Sequence, residues 1–358
     1  DGDDVISYPE YAIAIETLDG IDLVTGGDGD DFVDGGAGQD VITLNGGHDY
    51  IIGGADNDTI SAGEGNDIVD ASVGSDIVDG GSGNDTIVYS GALAGVTIDL
   101  EASLATEHDD GLSGEQTDEI ANFENAIGAD YNDTIIGNEA DNIIGGGAGD
   151  DTLNGGKGAD SYLYGRGDSA DTIYDTYTVA AHSYQEAYTY YVQEYVEGGE
   201  DGYYRQVART GYRTVNVPEA VHDGGAGDVL RFGAAIAIND LVLEIVGNDL
   251  IIGVLPEDFD PADPLPAASS LDDQVRLTDQ AINNTIEHLA FENGMVVISI
   301  DVDANGYRTV TATDEGGNLI GSERAENLIG GIGDDVVFGL GGEDDFQGGS
   351  GDGVYRYS

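Results

Sequence analysis

Aspartates recur every nine residues in the first part of the chain, in a setting rich in glycine. From Gly26 to Val88 the sequence divides into seven nine-residue units without a gap, such as GGAGQDVIT, and the sixth position of every unit is aspartate. Carboxylate and backbone carbonyl oxygens are the ligands that Ca²⁺ prefers, in flexible sites. The spacing therefore predicts rows of calcium sites. The carboxylate ligands predicted in this region are Asp22, Asp31, Asp40, Asp49, Asp58, Asp67, Asp76 and Asp85.

The eighth position of each unit is Val or Ile, and this second period indicates how the aspartates are positioned. One aliphatic residue per unit fits a three-residue strand whose middle side chain points inward. Glycines at positions one, two and four allow tight turns with positive φ. Two units then make one coil of 18 residues with a turn at each edge, so aspartates 18 residues apart share a row. The two rows are Asp31, Asp49, Asp67 and Asp85, and Asp4, Asp22, Asp40, Asp58 and Asp76.

The large negative charge of the chain also indicates that it binds cations. There are 72 acidic and 10 basic side chains, a formal net charge of −62. Like charges stacked at about 4.8 Å per coil repel one another, and bound divalent cations would let the chain compact. The composition excludes nucleic-acid binding through phosphates, which needs Lys and Arg. The lack of cysteine excludes a disulfide framework, a zinc ribbon and a thiol nucleophile. No apolar run approaches about 20 residues, so we expect no membrane span, and no N-terminal signal is visible.

The nine-residue units resemble the GGxGxDxUx nonapeptides of the RTX family, the haemolysin-type calcium-binding repeat proteins. The resemblance implies an all-β fold of calcium-binding parallel β-roll blocks, an RTX solenoid. In that family position-six carboxylates and turn carbonyls hold Ca²⁺ between successive coils. Ile13 stands in an aspartate position of the pattern, so we expect the site beside it to be missing or weak. The carbonyl ligands implied in the first block are those of Gly27, Gly29, Gly36, Gly38, Gly47, Gly54, Gly63, Gly65, Gly74, Gly81 and Gly83.

Two further blocks follow the same pattern. In the second block Asn142 replaces one aspartate, and we expect it to ligate more weakly through its side-chain carbonyl. The ligands implied in the second block are Asp133, Gly147, Gly149, Asp151, Gly156, Gly158 and Asp160. The third block is expected to stop within a repeat, and its implied ligands are Gly331, Gly333, Asp335 and Asp344.

Other segments lie between these blocks. SYLYGRGDSADTIYD, DVLRFG and LVLEIVGNDLIIGV resemble the haemolysin-type calcium-binding related domain, which we interpret as a small β-rich unit ending a roll. Two stretches fall outside the family pattern, one rich in tyrosine and one rich in proline. The predicted organisation is a roll at 1–88, a β connector at 89–127, a roll at 128–173, a protruding hairpin insertion at 174–222, the related domain at 223–313 with a Pro-rich surface loop at 255–270, and a truncated roll at 314–358.

The tyrosine-rich insertion is predicted to form two long strands, at about 184–197 and 203–217, around a GGEDG turn. Three arginines four residues apart share one face of the second strand. Tyrosine and arginine are enriched in interfaces, so the insertion is a candidate contact surface, for a neighbouring copy or a glycan. The alternative is a hairpin that folds back on its own roll. The candidate interaction residues are Tyr188, Tyr190, Tyr195, Tyr203, Arg205, Arg209 and Arg213.

No catalytic arrangement stands out. The five histidines never form an H-E-x-x-H pattern, no serine has glycine at both −2 and +2, and there is no P-loop, so we expect no enzyme activity. Asp301, Asp303 and Asn305 mimic the start of an EF-hand loop, but Ala312 stands where a bidentate glutamate is needed. Alternating apolar residues around Asn305-Gly306 favour a hairpin turn, and a calcium site is the alternative.

The resemblance also implies a cellular setting. RTX relatives leave bacteria by type I secretion, so we expect a secreted protein, extracellular or at the cell surface, that folds on binding Ca²⁺. Two classes of function remain open. The first is a structural repeating unit of a filament, surface layer or large adhesin, which self-associates or contacts a surface glycan. The second is a non-catalytic module of a secreted enzyme such as a protease, lipase or polysaccharide epimerase.

Overall fold

In the computed structural model most of the described residues lie in β-strands, with a short 3₁₀ helix at Ala268–Ser270. These residues form two compact units, Asp1–Thr176 with Asp223–Ser358, and Tyr177–His222. The structural statements below concern the described residues, which are 4–8, 12–71, 73–108, 114–179, 182–196, 203–217, 220–223, 228–236, 240–247, 249–256, 259, 266–278, 288–291, 294–297, 299–302, 308–311, 318–320, 326–329, 336–339, 345–347 and 354–357.

Short strands of the first roll alternate between two walls. Each strand pairs in parallel with the strand one coil further on, so that Ile6 lies opposite Val24 and Val24 opposite Ile42. The predicted 18-residue coil is confirmed by this register. The strands are β1 (Val5–Ser7), β2 (Ala14–Glu16), β3 (Leu23–Thr25), β4 (Phe32–Asp34), β5 (Val41–Thr43), β6 (Tyr50–Ile52), β7 (Thr59–Glu64), β8 (Ile68–Asp70), β9 (Ile77–Ser82) and β10 (Thr86–Val88).

The core of the roll is a double row of aliphatic side chains. Because side chains alternate along a strand, the middle residue of each three-residue strand points inward and its neighbours point outward. The inward residues are 0 or 1% exposed, as their position in the repeat predicts. They are Val24, Val33, Ile42, Ile51, Ile60, Val69, Val78 and Ile87.

The connector is built into the roll rather than standing beside it. β13 pairs in parallel with β9, and β11 pairs in parallel with β15, while β12 lies antiparallel between β11 and β13. The opposite wall continues without interruption, because β14 pairs in parallel with both β10 and β16. The strands concerned are β11 (Val96–Asp99), β12 (Leu104–Glu107), β13 (Gln116–Ala121), β14 (Asn125–Ile127), β15 (Thr134–Ile136) and β16 (Ile143–Gly145).

The second roll returns to the regular coil. Ile135 lies opposite Leu153, and Ile144 opposite Tyr162, again 18 residues apart. β19 pairs with β17 after a longer turn, with Leu153 opposite Ile173. The remaining strands of this roll are β17 (Thr152–Asn154), β18 (Ser161–Tyr164) and β19 (Ala170–Ile173).

The tyrosine-rich insertion forms the separate unit Tyr177–His222. Its two long strands are antiparallel, with His182 opposite Val217 and Val196 opposite Tyr203. Their bounds agree with the predicted strands. The strands of this region are β20 (Thr176–Val179), β21 (His182–Val196), β22 (Tyr203–Val217) and β23 (Ala220–Asp223), and β20 pairs with β23.

After the insertion the chain continues both walls. β24 pairs in parallel with β18, and β27 pairs in parallel with β19. β26 lies antiparallel to both β25 and β27, and β28 and β29 form a further antiparallel pair. The strands are β24 (Val229–Phe232), β25 (Leu241–Val246), β26 (Asp249–Val254), β27 (Gln274–Leu277), β28 (His288–Phe291) and β29 (Gly294–Val297).

The ends of the Pro-rich segment differ from the predicted surface loop. Leu255 and Ala268 are 6% and 0% exposed, and they belong to a small cluster with Val242 and Ile251. Removing these apolar side chains from water stabilises the folded segment. Pro256, Ala267, Ser269 and Ser270 are exposed, so the surface loop stays a prediction apart from the buried Leu255 and Ala268. Residues 257–258 and 260–265 lie outside the described residues.

The last strands repeat the 18-residue register. Asn318 lies opposite Val336 and Val336 opposite Val354. β30 and β31 are antiparallel, so the strands flanking Asn305 form the predicted hairpin, although residues 303–307 lie outside the described residues. These strands are β30 (Ser299–Val302), β31 (Arg308–Thr311), β32 (Asn318–Ile320), β33 (Glu326–Ile329), β34 (Val336–Gly339), β35 (Asp345–Gln347) and β36 (Val354–Tyr357).

Candidate metal sites

The aspartates at position six of the repeat are buried at the two edges of the roll. Each one comes two residues before an inward-facing apolar side chain, so the strand places it where the turn ends. Carboxylates are rarely fully buried unless they are paired or bind a metal. The buried aspartates of the two rolls, all between 0 and 3% exposed, are Asp22, Asp31, Asp40, Asp49, Asp58, Asp67, Asp76, Asp85, Asp133, Asp151 and Asp160.

One oxygen of each carboxylate joins its coil to the preceding one. The backbone N–H of Asp22 donates to Oδ1 of Asp40 at 2.8 Å, and the N–H of Asp40 donates to Oδ1 of Asp58 at 2.9 Å. The other edge has the same ladder, in which Asp31 N–H donates to Asp49 Oδ1 at 2.8 Å. Each bond spans 18 residues, so these carboxylates tie neighbouring coils together along both edges.

The second oxygen is the one that needs a cation. In most of these aspartates Oδ2 is buried and has no hydrogen-bond partner among the described residues. An unpaired buried charge is costly, and an opposite charge or a metal ion removes that cost. Hard oxygen donors in a row fit Ca²⁺. The repeat aspartates with such an oxygen are Asp22, Asp40, Asp49, Asp58, Asp67, Asp76, Asp85, Asp151 and Asp160.

Glycine at position one leaves room for this second oxygen. A Cβ atom on Gly146 would lie 1.8 Å from Asp151 Oδ2, and one on Gly155 would lie 2.0 Å from Asp160 Oδ2. Neither glycine has a positive φ, whereas position two does at Gly36, with φ of +83°. The prediction that all three glycine positions serve positive φ is therefore wrong for position one, where the reason is space beside the carboxylate.

Burial changes the acidity of these carboxylates. Loss of water raises the pKa of Asp58 from 3.8 to about 8; the hydrogen bond from the Asp40 amide opposes this, and the charges of Asp76 and Asp40 add to it. Loss of water likewise raises the pKa of Asp76, Asp151 and Asp160 to about 7. In the absence of a cation these groups tend to keep a proton near neutral pH, so protons and Ca²⁺ compete for the same oxygens.

Three positions in the rows are already satisfied by the protein. Asp31 Oδ2 accepts from the N–H of Gly27 at 3.3 Å, and both oxygens of Asp133 accept from backbone N–H groups. Asn142 Oδ1 accepts from the N–H of Asn138, while its Nδ2 donates to the carbonyl of Glu124 at 2.6 Å. The Asn142 side chain thus presents an N–H group where the aspartates have a second carboxylate oxygen, and weak ligation through its Oδ1, which accepts one hydrogen bond and has two lone pairs, stays a prediction.

The turn carbonyls implied by the resemblance retain capacity for a metal. The carbonyl of Gly36 accepts from the N–H of Ala55 at 2.8 Å, and that of Gly27 from Gly46 at 3.1 Å. A carbonyl oxygen has two lone pairs, so one hydrogen bond does not prevent ligation, and their role as ligands stays a prediction. Of the third roll, Gly331, Gly333, Asp335 and Asp344 lie outside the described residues.

Several acidic residues that extend the rows do not follow the nine-residue period. Asp118 Oδ1 accepts from the N–H of Asp76, Asp171 Oδ1 from that of Asp151, and Asp228 Oδ1 from that of Asp160. Glu124 Oε2 does the same for Asp85. Each of the three aspartates precedes a buried aliphatic residue by two positions, so the local pattern D-x-U could have identified them where the longer period fails.

Comparison with known families agrees with this geometry. The RTX calcium-binding nonapeptide repeat matches the chain in four copies, at residues 16–51, 52–87, 127–162 and 320–355, which together cover less than half of the chain. The inferred RTX repeats are confirmed, and such repeats bind Ca²⁺ at multiple sites. No curated protein matches the chain. In the part of the chain that the structure describes, no helix has the length and hydropathy needed to cross a membrane.

Proposed function

We propose that this chain is a calcium-dependent, non-catalytic structural segment of a bacterial extracellular protein, a repeating unit of a surface filament, surface layer or large adhesin. The observation that carries the proposal is the pair of carboxylate rows, each with buried, unpartnered oxygens. Burying such rows at neutral pH without cations costs free energy, because each buried carboxylate must stay charged and unpaired or hold a proton. We therefore expect the roll to be most stable where Ca²⁺ is plentiful.

The expected calcium affinity fits a chain that folds only after it leaves the cell. Extracellular calcium modules bind at roughly 10⁻⁴–10⁻³ M, above the calcium level at which the chain would be made. The chain would therefore stay loose inside the cell and fold outside it. RTX repeats imply a secreted-protein context, and export by type I secretion to the cell surface is part of the proposal.

Apolar rows on the outside of the first roll support association between copies. On one wall Leu23, Val41 and Ile77 are 43, 39 and 53% exposed at the same register position, with Thr59 between Val41 and Ile77. On the other wall the rings of Phe32 and Tyr50 stack with centroids 5.8 Å apart. Contiguous apolar patches on a charged surface mark contact sites, and a second copy of the same wall would cover them.

The tyrosine-rich hairpin is the second candidate contact. Its register places Glu194 opposite Arg205 and Glu186 opposite Arg213. Opposite charges at directly opposed positions stabilise a hairpin itself, which favours the first roll as the primary contact between copies.

Light scattering over a calcium titration tests the proposal. The chain is expected to contract and then grow into long particles as Ca²⁺ rises to about 10 mM, above the range of such sites. Replacing Leu23, Val41 and Ile77 with threonine, the residue already present at Thr59 in the same row, is expected to preserve the contraction and abolish the growth.

Two comparisons show where the copies make contact and whether they associate at all. Replacing Arg205, Arg209 and Arg213 with serine is expected to leave the growth intact; loss of growth in this variant instead would assign the contact to the hairpin. A wild-type chain that contracts to a compact monomer and never grows would contradict the structural role. That outcome would favour the alternative, a non-catalytic module of a secreted enzyme.

A further inference from the structure

One turn of the second roll is interrupted by the whole tyrosine-rich insertion. β19 ends at Ile173, and the next strand of the opposite wall begins at Val229. In the repeat, the turn between two such strands runs from position one to position six. Here Asp175 takes position one and Asp228 takes position six, so residues 176–227 are inserted into a single turn.

Three carboxylates meet at this turn. Asp160, Asp175 and Asp228 are 0, 0 and 1% exposed, and one oxygen from each lies within 4.8 Å of the others. Calcium binds oxygen at 2.3–2.6 Å, so two ligands of one ion lie at most about 5 Å apart. The spacing of the three oxygens therefore fits a shared ion without movement of the backbone.

Hydrogen bonds hold one oxygen of each carboxylate and direct the others towards the cluster. The hydroxyl of Tyr162 donates to Asp175 Oδ1 at 2.8 Å and accepts from the N–H of Gly155 at 2.6 Å. The N–H of Asp160 donates to Asp228 Oδ1 at 2.7 Å. Asp160 Oδ2 and Asp175 Oδ2 are buried without a hydrogen-bond partner. These two oxygens are the independent sign of a missing cation.

Asp175 distinguishes this turn from the ordinary repeat. Most units have glycine at position one, where a Cβ would touch the aspartate of the same turn, as at Gly146 and Gly155, and the units that differ in the first block have the uncharged residues Leu44, Ala62 and Ala71. Here that position adds a carboxylate, and the charged groups acting on Asp175 are Asp228 and Asp160, both negative. A site with three carboxylates attracts a hard divalent cation more strongly than a site with one or two.

We propose that Asp160, Asp175 and Asp228 bind one Ca²⁺ ion that closes the turn into which residues 176–227 are inserted. The ion joins the two chain positions at which the insertion leaves and re-enters the roll. The entropic cost of closing a loop grows with its length, and a metal ion that joins the two ends of a long loop counters that cost. The ion would therefore order the turn despite the long insertion. The site goes beyond the repeat, which assigns no ligand side chain to position one.

The experiment measures calcium bound by the full chain, by equilibrium dialysis over buffered calcium concentrations. The variants are Asp175→Asn, which keeps the shape of the side chain, and Asp175→Gly, which installs the residue that the repeat uses at this position. The control is Asp28→Asn, which removes the same charge from an exposed residue of a turn. Far-UV circular dichroism at saturating Ca²⁺ reports the β-structure of each chain.

Both Asp175 variants are expected to lose one ion per chain, or to bind one ion at least tenfold more weakly, while the control binds as wild type does. Unchanged stoichiometry and affinity in both variants would overturn the proposal and leave Asp160 and Asp228 as ordinary repeat ligands. The result is independent of assembly, because a chain that binds every ion yet never forms long particles contradicts the proposed function and not this site.

Discussion

Replacing Asp58 with asparagine is expected to change the stability of the roll in opposite directions with and without Ca²⁺. Asp58 is 2% exposed; its Oδ1 accepts from the N–H of Asp40, and its Oδ2 has no hydrogen-bond partner. Asparagine keeps the acceptor and removes the buried charge. Its amide can donate to a turn carbonyl, as Asn142 Nδ2 does to that of Glu124.

The size of the calcium-free effect follows from the acidity of Asp58. Burial raises its pKa from 3.8 to about 8, so at pH 7 the folded chain holds a proton that the unfolded chain has lost. Each pKa unit corresponds to about 1.4 kcal/mol, which gives about 4 kcal/mol between 3.8 and pH 7. Solvent screening near the edge of the roll lowers this figure, and we expect Asp58→Asn to stabilise the calcium-free roll by about 2 kcal/mol.

The sign depends on pH in a defined way. Because the folded pKa lies above the unfolded one, Asp58 destabilises the calcium-free roll increasingly as pH rises from about 4 to about 8. Wild type and variant should therefore agree near pH 3.5 and diverge by pH 7. With Ca²⁺ the order reverses, since the variant lacks a ligand and should need at least about tenfold more calcium to fold, or about 1.4 kcal/mol.

Circular dichroism of the β-sheet signal provides both measurements. One series raises the pH from 3.5 to 8 with a chelator present, and the other titrates Ca²⁺ at pH 7. The control is Asp28→Asn, which removes an exposed charge from a turn at the other edge of the roll and should shift neither curve by a comparable amount. The reasoning is refuted if Asp58→Asn loses structure at a lower pH than wild type in chelator, or folds at the same calcium concentration.

Two further substitutions test the geometry of the sites. A Cβ on Gly146 would lie 1.8 Å from Asp151 Oδ2, whereas Ala62 and Ala71 are accommodated at the same position beside Asp67 and Asp76, so we expect Gly146→Ala to weaken one bound ion in equilibrium dialysis rather than remove it. Gly233→Ala, whose Cβ meets nothing closer than 3.6 Å, should bind as wild type does, and equal binding by the two variants would contradict the argument. Asn142→Asp replaces an amide N–H with a carboxylate oxygen, so the variant should bind one additional ion and lose stability in chelator; an unchanged ion count in calcium would show that the turn cannot form a site.

The periodic part of the fold could be predicted because the residue types within each nine-residue unit determine the local structure of that unit. Position eight buries a side chain and position six ends a turn, so Val33 and Asp31 take their places from local spacing alone. The predicted rows and the 18-residue register followed from that spacing. The pairing of the connector strands could not be predicted from that spacing, because β12 and β13 pair with each other, and β13 with β9, across a break in the period.

Residues outside the period required the structure. Asp175 and Asp228 are separated by the entire insertion, so nothing in their spacing indicates that they meet beside Asp160. The orientation of the Asn142 amide depends on Asn138 and Glu124, which the repeat pattern does not relate to it. The spacing of the sequence predicts which residues share a row. It does not predict which carboxylate oxygen in the row lacks a hydrogen-bond partner.

The distribution of these oxygens divides the roll into parts with different needs for calcium. In the described residues, buried carboxylate oxygens without a hydrogen-bond partner occur between Asp22 and Asp85 and again between Asp151 and Asp175. Between them the protein supplies the partners itself, since Tyr89 donates to Asp118 Oδ2 and Asn142 donates to the carbonyl of Glu124. We therefore expect the connector and the start of the second roll to depend less on Ca²⁺ than the coils on either side.

That segment gives the calcium-dependent coils a structure on which to order. The N–H of Asp76 donates to Asp118 and that of Asp85 to Glu124, so the last coil of the first roll is bonded to the connector by the same ladder that joins coils to each other. Each coil ordered by Ca²⁺ then presents its backbone N–H groups and carboxylates to the next. Because an ion held between coils requires both coils in place, binding at one turn favours binding at its neighbour, and calcium-induced folding should spread from the connector outward.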